Sequence, residues 1–495
     1  MADSLTRRDV LILGGATLGA ALMIGSTPLS ATAGTGAAGA PGTATPSGLP
    51  GRAGRSDPWK AADRIIRETS RPRIPRRRVV ITDFGAVGDG TTMCTAAIEA
   101  AIQASAKRGG GQVVVPAGRF LTGAVVLLSN TELHIEAGAT LAFSKNTEDY
   151  LPVVRTQDGG IELYNYSPFI YALDQHDIAI TGTGTIDGQC GSDAWWPWVG
   201  KAAFGWVAGM PTAAADRLTL VDMATRGEPV EQRVFGAGHY LRPCFVQPYR
   251  CTNVLIQGVT LLNAPNWQIN PVLCTNVTVD GVIARSLGPN NDGCDPDSCD
   301  HVVIQNCTFD TGDDCIAIKS GLNQDGWRMN VPSQNIVIQK CEFLNGHGGI
   351  TIGSEMSGGV RNVFARDNRM DATELSNCLR LKTNSGRGGF IENVFLSRTT
   401  VESTTGPAIL IDFFYGEGAG LGHNPIVKGI AIDRLTVGTC QSPIYAVGYA
   451  DDHISDISLT NCVFKVVGNN GTVAYVDNLT YDHVYVGGAL AQPPA

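Results

Sequence analysis

Acidic, histidine and basic side chains recur in five short clusters in the second half of the chain. In chain order the clusters are Asn290-Asn291-Asp292, Asp295-Pro296-Asp297, Gly312-Asp313-Asp314, Gly346-His347-Gly348 and Arg380-Leu381-Lys382. Counted from Asp292, the successive intervals to the aspartate pair, the histidine and the arginine are 21, 34 and 33 residues. Such intervals are typical of one structural repeat each, so we expect the clusters to lie side by side on neighbouring repeats.

The residue types in these clusters favour acid–base chemistry on a sugar. Carboxylates held close together raise the pKa of at least one of them by mutual repulsion. A protonated acid then lies beside ionised bases, as glycoside hydrolysis requires. Arg380 and Lys382 are two positions apart on a strand and face the same side, where cations attract an anionic sugar. Each cluster alone also fits a solvated turn, a loop histidine or an exposed strand face, so their alignment carries the prediction.

A short strand pattern repeats through the same region. Its copies begin at Asn253, Asn276, His301, Asn335, Asn362 and Asn393, with weaker copies at Asp177, Gly429, Asp456 and Leu479. From Asn253 onward the spacing is 23 to 36 residues, which fits a solenoid, because propeller blades have a longer and more constant period. The pattern predicts an all-β fold, a single-stranded right-handed parallel β-helix with stacked asparagine side chains in one turn.

Residues 94–107 are predicted to form a short helix that caps the N-terminal end of this solenoid. Ile98 and Ile102 are one helical turn apart, and Gly109-Gly110-Gly111 ends the segment. The glycines at 85 and 88 lack the Gly-Lys-Ser/Thr element of a nucleotide-binding loop, so we do not expect a nucleotide.

The first residues have the features of a twin-arginine export signal. Arg7-Arg8 precedes an apolar run from Val10 to Ile24, and Ala31-Thr32-Ala33 offers a small-residue cleavage site. A membrane anchor is the alternative, but the run is short and contains glycine. We expect an exported protein, periplasmic or secreted, with no membrane span in the mature chain. The predicted divisions are a signal peptide at 1–33, a flexible linker and approach segment at 34–78, the catalytic β-helix at 79–486 with an insertion at 189–250, and a tail at 487–495.

The composition excludes several other classes of protein. The chain has 495 residues, a net charge of −9, 60 glycines and only 17% charged residues. The negative charge argues against nucleic-acid binding, and the glycine content and low charge argue against disorder and coiled coils. Most of the 13 cysteines are predicted to be buried free thiols, with a Cys294–Cys299 pair left open. We expect a monomer without a cofactor or a metal.

The motifs Asn-x-Asp, Gly-Asp-Asp, Gly-His-Gly and Arg-x-Lys stand in the order found in polygalacturonases, and the chain resembles that family, glycoside hydrolase family 28. The resemblance runs from about Val80 to the last repeats. Asn291 replaces the threonine common in fungal endo-acting members, and residues 293–298 resemble the bacterial and plant branches. The resemblance implies inverting hydrolysis of α-1,4-galacturonosidic linkages in pectate, polygalacturonate or their oligosaccharides.

The resemblance also implies roles for the acidic residues and the histidine. Asp313 protonates the glycosidic oxygen as the general acid, and His347 helps to keep it protonated. Asp292 and Asp314 position and deprotonate the attacking water. The family resemblance implies no metal and no cofactor.

Substrate binding is expected, by the same resemblance, at Arg380 and Lys382, which contact the sugar carboxylates. Asn290 is predicted as a further substrate-binding residue. Tyr415 either contacts a sugar ring or packs as an aromatic against its neighbours.

Three other functions remain open from the sequence. A calcium-dependent pectate lyase would use aspartates to hold the ion, whereas a rhamnogalacturonan or other pectic-side-chain hydrolase typically lacks the histidine and the Arg-x-Lys pair. A non-catalytic carbohydrate-binding or surface protein would not need Asp313. Exo action is weakly favoured over endo action, because an insertion at 189–250 that closes one end of the substrate groove would lead to cleavage from a chain end. The alternative is that the insertion packs as a structural flap. The tryptophans of this insertion are Trp195, Trp196, Trp198 and Trp206.

Overall fold

The computed structural model describes residues 57–372 and 374–494 of the chain. The predicted signal peptide at 1–33 and residues 34–56 of the predicted linker lie outside the described residues. Within them, short parallel strands form three ladders in which each strand pairs with its counterpart one coil away. The predicted all-β parallel β-helix is confirmed.

The first ladder has the longest strands of the repeat. Its members are β1 (Arg78–Val80), β3 (Gly111–Val115), β6 (Thr131–Ile135), β11 (His176–Gly182), β14 (Thr252–Gln257), β16 (Thr275–Asp280), β18 (Asp300–Gln305), β21 (Ser333–Gln339), β24 (Val360–Arg366), β27 (Phe390–Ser403), β29 (Ile426–Cys440), β31 (Ile454–Thr460) and β34 (Val476–Asp482).

The second ladder follows the first after a tight turn, and the long strands β27 and β29 extend into it. Its other members are β2 (Asp89–Met93), β4 (Gly118–Thr122), β7 (Ala139–Phe143), β12 (Thr185–Asp187), β15 (Thr260–Leu262), β17 (Ile283–Ser286), β19 (Thr308–Thr311), β22 (Glu342–Asn345), β25 (Arg369–Met370), β32 (Val463–Val467) and β35 (Tyr485–Val486).

The third ladder completes each coil. Its strands are β5 (Val125–Val126), β10 (Ile170–Leu173), β13 (Val246–Tyr249), β20 (Ile316–Ile318), β23 (Gly348–Ile352), β26 (Asn377–Lys382), β28 (Ile409–Asp412), β30 (Ile444–Val447) and β33 (Thr472–Ala474). Single bridges from Val246 to Ile269, from there to Cys294, and from Cys294 to Ile316 join its two halves.

The remaining elements lie outside the three ladders. They are the helices α1 (Pro58–Glu68), α2 (Thr95–Lys107), α3 (Ala214–Thr225) and α4 (Asn323–Met329), the 3-10 turns Ile81–Phe84, Thr147–Tyr150, Trp196–Val199, Ala202–Phe204 and Val230–Gln232, the antiparallel hairpin β8 (Val154–Asp158) and β9 (Ile161–Asn165), and the last strand β36 (Ala489–Leu490).

One turn of the coil explains the recurring asparagine. Asn276, Asn335, Asn362 and Asn393 have φ angles of 60°, 56°, 57° and 56°. Asparagine tolerates this left-handed conformation better than most residues do. Its amide also bonds along the stack, since Asn362 Nδ2 donates to Asn335 Oδ1 at 3.1 Å and Asn393 Nδ2 donates to Asn362 Oδ1 at 3.2 Å. The predicted asparagine stack is therefore present in this turn.

Apolar side chains of the strands fill the interior of the coils. Val277, Val302, Ile336, Val363 and Val394 stand opposite one another in successive strands of the first ladder, and none is more than 1% exposed. Burial of one such side chain contributes about 1.5–3 kcal/mol. The core therefore runs along the stack beneath the surface that carries the charged clusters.

Helix α2 covers the N-terminal end of this core, as predicted. Its Ile98, Ala101 and Ile102 are at most 1% exposed and pack into the main hydrophobic cluster. At the C-terminal end, part of the predicted tail at 487–495 forms a strand. β36 pairs antiparallel with β35, so residues 489–490 belong to the β-helix domain.

Helix α1 corrects the predicted approach segment at 34–78. Ala62 and Ile65 pack against Val337 and Phe364 on the outer surface of the first ladder, and Trp59 lies edge-on to Phe364. Apolar residues at these helical spacings form one face, so the segment from residue 58 to 68 is helical and packed.

The cysteines are free thiols, as predicted for most of them. All 13 cysteines, which lie within the described part of the chain, are buried free thiols, including Cys294 and Cys299. Among residues 57–372 and 374–494, no helix has both the length and the apolar character needed to cross a membrane.

Candidate active site

The third ladder places the predicted clusters on neighbouring coils. Asp313 and Asp314 come just before β20, and His347 comes just before β23. Arg380 and Lys382 lie within β26. Because β20 pairs with β23 and β23 pairs with β26, these side chains are brought together as the sequence predicted.

Three aspartates form the acidic centre of the site. Oxygen atoms of Asp292, Asp313 and Asp314 all lie within 4.8 Å of one another. The side chain of Asp313 is 22% exposed, whereas those of Asp292 and Asp314 are 5% and 0% exposed. Asp313 is thus the carboxyl group of the three that a substrate reaches most easily.

Close packing in the histidine turn allows Asp314 its position. A Cβ atom on Gly348 would lie 2.9 Å from Asp314 Oδ1 and 2.1 Å from Thr351 Oγ1. Any larger residue at position 348 would therefore displace the aspartate. This requirement explains the second glycine of the Gly-His-Gly motif.

Asp314 is paired with both cations of the Arg-x-Lys motif. Lys382 Nζ donates to its Oδ2 at 2.7 Å, and Arg380 Nη1 donates to its Oδ1 at 3.1 Å. Burial raises the pKa of Asp314, but the charges of Lys382 and Arg380 outweigh burial and hold it well below its usual range. Asp314 is therefore held as an anion. Arg380 and Lys382 each bind Asp314 in addition to any contact that they make with a substrate.

His347 contacts Asp313 directly. Its Nδ1 lies 2.9 Å from Asp313 Oδ1. Burial raises the pKa of Asp313, but the hydrogen bond and the charge of His347 outweigh burial and hold it below its usual range. His347 thus favours the ionised form of Asp313, which is opposite to the predicted effect.

Asp292 is the carboxyl group with the raised pKa in the cluster. Its burial, followed by the charges of Asp295 and Asp313, raises the pKa of Asp292 well above its usual range. The sequence predicted that mutual repulsion would keep one acid protonated at working pH. Of the three aspartates, Asp292 is the one whose raised pKa favours the protonated form.

The two predicted binding residues have different surroundings. Asn290 is exposed, and its Oδ1 accepts a hydrogen bond from Arg242 Nη2 at 2.7 Å. The ring of Tyr415 lies over the Arg-x-Lys cations, with Lys382 Nζ at 5.1 Å and Arg380 Cζ at 5.7 Å from its centroid. Tyr415 is therefore part of the cation site rather than of the apolar core.

Asn291 between the two predicted site residues has a structural role. It is fully buried, and its Oδ1 accepts hydrogen bonds from Ser286 Oγ at 2.5 Å and Gly288 N at 3.0 Å. Its Nδ2 donates to Asn266 O at 3.1 Å. Asn291 thus fixes the turn from which Asp292 projects.

The structure adds three charged residues that the sequence analysis did not select. Lys319 Nζ lies 3.1 Å from Glu355 Oε2 and 3.8 Å from Asp292 Oδ2. A lysine directly after the buried strand β20 is unusual, and this placement was an available signal. Arg242, in the insertion, donates to the carbonyls of Pro265 and Pro289 at 2.8 Å, and no motif marked it.

The insertion tryptophans mostly pack against the coils. Trp195 is 2% exposed in the main core, and Trp196 donates from Nε1 to Ala264 O at 2.8 Å. Trp198 lies edge-on to Tyr240, and Trp206 donates to Met210 O within the insertion. Packing thus accounts for the first three tryptophans. Because β13 begins at Val246, the insertion ends at residue 245 rather than at the predicted residue 250.

The donor set does not suit a metal ion. Both oxygens of Asp314 are already bonded to Lys382 and Arg380, so the ammonium and guanidinium groups neutralise the acidic centre. Calcium in proteins takes six to eight oxygen ligands. The predicted lyase alternative, in which the aspartates hold calcium, finds no support in this arrangement.

Comparison with known proteins identifies the family. The model of Glycosyl hydrolases family 28 matches residues 237–473. A probable polygalacturonase of Vitis vinifera is 30% identical over 400 residues, covering 77% of this chain and 73% of the relative. The chain belongs to glycosyl hydrolase family 28. This family membership confirms the resemblance and makes the protein a glycoside hydrolase.

Further comparisons place other members of the family beside this one. The crystal structure of a hyperthermoactive exopolygalacturonase from Thermotoga maritima is 44% identical, with a TM-score of 0.84, and covers 87% of this chain and 96% of that one. An exo-poly-alpha-D-galacturonosidase of Dickeya chrysanthemi is 28% identical, covering 69% of this chain and 58% of the relative. A second family model, Rhamnogalacturonase A/epimerase, pectate lyase-like, matches residues 78–168.

Proposed function

We propose that this family 28 hydrolase cleaves α-1,4-galacturonosidic linkages in pectate, polygalacturonate or their oligosaccharides, and that it acts from chain ends. The observation that carries the proposal is the cluster of three aspartates, one of which, Asp314, is paired with the cations Arg380 and Lys382. Carboxyl groups supply the acid and the base, and cations suit a polyanionic substrate.

The acid in this proposal is Asp313, the most exposed of the three aspartates. In this mechanism its proton comes from Asp292, whose pKa is raised by burial and by the charges of Asp295 and Asp313. A galacturonate carboxylate beside Asp313 adds negative charge and favours its protonated form. Transfer of one proton from Asp292 to Asp313 then creates the acid and the base together.

Asp292 and Asp314 act on the attacking water. After the transfer, anionic Asp292 accepts a proton from the water as Asp313 protonates the leaving oxygen. Both oxygens of Asp314 are held by cations, which makes it a poor nucleophile and supports direct displacement with inversion. Carboxylate spacing does not carry this assignment, because the aspartate oxygens are closer than the roughly 6.5–9.5 Å typical of inverting enzymes. Family membership supports it instead.

The other site residues position the substrate and the acid. His347 holds Asp313 through its contact at 2.9 Å and limits the directions in which the acid can turn. Arg380 and Tyr415 face a sugar carboxylate and ring, and exposed Asn290 offers its amide nitrogen.

Action from chain ends is supported by the contacts of the insertion. Arg242 binds the turn that carries Asn290, and buried Arg233 pairs with Asp325 of α4 at 2.7 Å. The insertion is thereby tied to loops on two coils of the site, where it can close one end. The 44% identity to the exopolygalacturonase from Thermotoga maritima also supports exo action.

The alternative hydrolase receives less support. The rhamnogalacturonase-like model matches only residues 78–168, which lie before the catalytic clusters. His347 and the Arg-x-Lys pair, which such enzymes typically lack, are present and in contact with the catalytic aspartates.

We extend the proposal to location and organisation. A twin-arginine signal at 1–33 exports the protein to the periplasm or the medium, where cell-wall pectin is the substrate. Residues 79–486 form the catalytic domain of a monomer, without a metal or another cofactor.

Time-resolved sizing of the products from polygalacturonate tests this function. We expect galacturonate monomer or dimer from the first minutes, no unsaturated sugar, full activity with a chelator, and inversion in the proton NMR spectrum of the first product. Early mixed oligomers would exclude exo action, and an unsaturated product would exclude hydrolysis.

A further inference from the structure

We propose that Lys319, held in place by Glu355, is a positioning residue that sets how tightly the neighbouring pair Asp292 and Asp295 retains the proton used in catalysis. This inference rests on the proposed function, because it concerns the same acid–base step. Neither Lys319 nor Glu355 belongs to the four motifs that identify the family in this chain.

The position of Lys319 is unusually confined for a charged side chain. It is 3% exposed, and its Nζ lies 3.1 Å from Glu355 Oε2, 3.7 Å from Asp295 Oδ2 and 3.8 Å from Asp292 Oδ2. The same ammonium lies 4.4 Å from the ring centroid of Trp267. Burial lowers the pKa of Lys319, but the carboxylates around it outweigh burial and raise it, so the group stays charged.

Asp295 is the second carboxyl group of the pair. It is fully buried, and neither of its oxygens has a hydrogen-bond partner among the described residues. Burial raises the pKa of Asp295 to about 8, and the positive charge of Lys319 opposes the increase. Two buried carboxyl groups beside one ammonium cannot both ionise easily, so the protonated form of one of them is favoured.

Glu355 controls the charge that the aspartates experience. Burial raises the pKa of Glu355, but Lys319 and Lys382 outweigh burial and lower it to about 2, so it remains an anion beside Lys319. The negative charge of Glu355 raises the pKa of Asp295, whereas the positive charge of Lys319 lowers it. The other titratable or charged groups facing this cluster are the carboxyl groups of Asp313, Asp314 and Asp297, the cations Lys382, Arg242 and Arg387, and the thiols of Cys244, Cys294 and Cys315.

Removing the charge of Lys319 and removing the charge of Glu355 should therefore shift the pH profile in opposite directions. Loss of the Lys319 charge destabilises the anionic form of the pair, so the proton is released at higher pH. Loss of the Glu355 charge leaves Lys319 more effective, so the proton is released at lower pH. The alkaline limb of kcat/KM reports release of this proton from the free enzyme.

The experiment measures kcat/KM on polygalacturonate against pH for the full chain and for Lys319→Met, Glu355→Gln and Lys319→Arg. We expect the alkaline limb to move up by about one unit or more in Lys319→Met and down in Glu355→Gln, since a charge within 4–6 Å shifts a pKa by about 1–3 units. Lys319→Arg keeps the charge and should stay near the wild-type limb. Lys428→Met, at an exposed ion pair, is the matched control and should change neither limb.

The inference would be overturned if the alkaline limb stayed in place, or if it moved in the same direction in Lys319→Met and Glu355→Gln. A packing defect gives no reason for opposite shifts in the two variants, whereas the loss of opposite charges does. If Lys319→Met does not fold, the direction seen with Glu355→Gln decides. Wild-type protein without hydrolytic activity on polygalacturonate would instead reject the proposed function, so the two failures are distinguishable.

Discussion

The asparagine turn of the first ladder and the catalytic face of the third ladder are built on the same parallel stack, yet their side chains follow opposite rules. In the turn, Asn335, Asn362 and Asn393 repeat one residue type, and each amide bonds to the next. On the catalytic face, Asp314 and Lys382 are unlike residues two coils apart that form one buried ion pair.

This difference predicts different effects for substitutions in the turn and on the catalytic face. The same amide bond is made again on the coils above and below, so removing one asparagine side chain affects only the neighbouring coils. A buried ion pair is not repeated on the coils above and below it, and a buried charge that loses all its partners costs about 3–5 kcal/mol. Changes on the catalytic face should therefore affect activity or stability strongly, and changes in the turn should affect stability modestly and activity not at all.

The largest effect is expected for Asp313→Asn. The amide keeps the shape of the side chain but cannot donate the catalytic proton, so kcat should fall by about 10²- to 10⁴-fold or more. Reducing-sugar release from polygalacturonate measures this loss, and a thermal melt checks that the variant is folded.

Asp310→Asn is a suitable control for Asp313→Asn. Asp310 lies on the same coil but in β19 of the second ladder, where it pairs with Arg285 at 3.0 Å. Its activity should stay near that of the wild type. Near-normal turnover by Asp313→Asn would show that another group is the acid.

The next effect is a loss of stability in Lys382→Met. The change removes the 2.7 Å contact to Asp314 and leaves this fully buried carboxylate with Arg380 as its remaining cation. Unfolding by urea should show a decrease in the free energy of unfolding that approaches, but does not exceed, the roughly 3–5 kcal/mol of an uncompensated buried charge, because Arg380 remains.

Lys428→Met gives the matched comparison for that measurement. Lys428 is half exposed and pairs with Glu392 at 3.1 Å, and such surface pairs contribute about 0–1 kcal/mol. Equal losses in the two lysine variants would contradict the idea that burial makes the catalytic-face pair irreplaceable.

Much of the fold and the site could be predicted because each depends on local pattern. The spacing of Asn253 and its later copies reflects a turn that needs a left-handed residue on each coil. The clusters at Asp292, Asp313 and His347 lie one coil apart, so sequence intervals translate directly into neighbours in space. Because the coils stack in register, motifs that occur one coil apart in the sequence lie next to one another in the structure.

The parts that were not predicted depend on contacts made at long range. Arg242 reaches Pro289 and Asn290 from an insertion with no repeat of its own. Lys319 meets Glu355 across 36 residues through a turn that no motif marks. The effect of His347 on Asp313 depends on which group is paired and buried, and residue order alone does not give that balance.

The smallest effect is expected in the turn, where two variants of Asn362 separate its two contributions. Asn362→Gly keeps a residue that accepts the φ of 57° but removes the amide bonds to Asn335 and Asn393. Loss of these bonds should lower the free energy of unfolding by about 1–2 kcal/mol. Asn362→Ala removes the same bonds and adds strain of about 1–2 kcal/mol, because its Cβ disfavours the left-handed conformation. Urea unfolding should therefore rank wild type above glycine and glycine above alanine, with kcat/KM on polygalacturonate unchanged in both. An alanine variant as stable as the glycine variant would show that the amide bonds, and not the backbone conformation, account for the recurring asparagine.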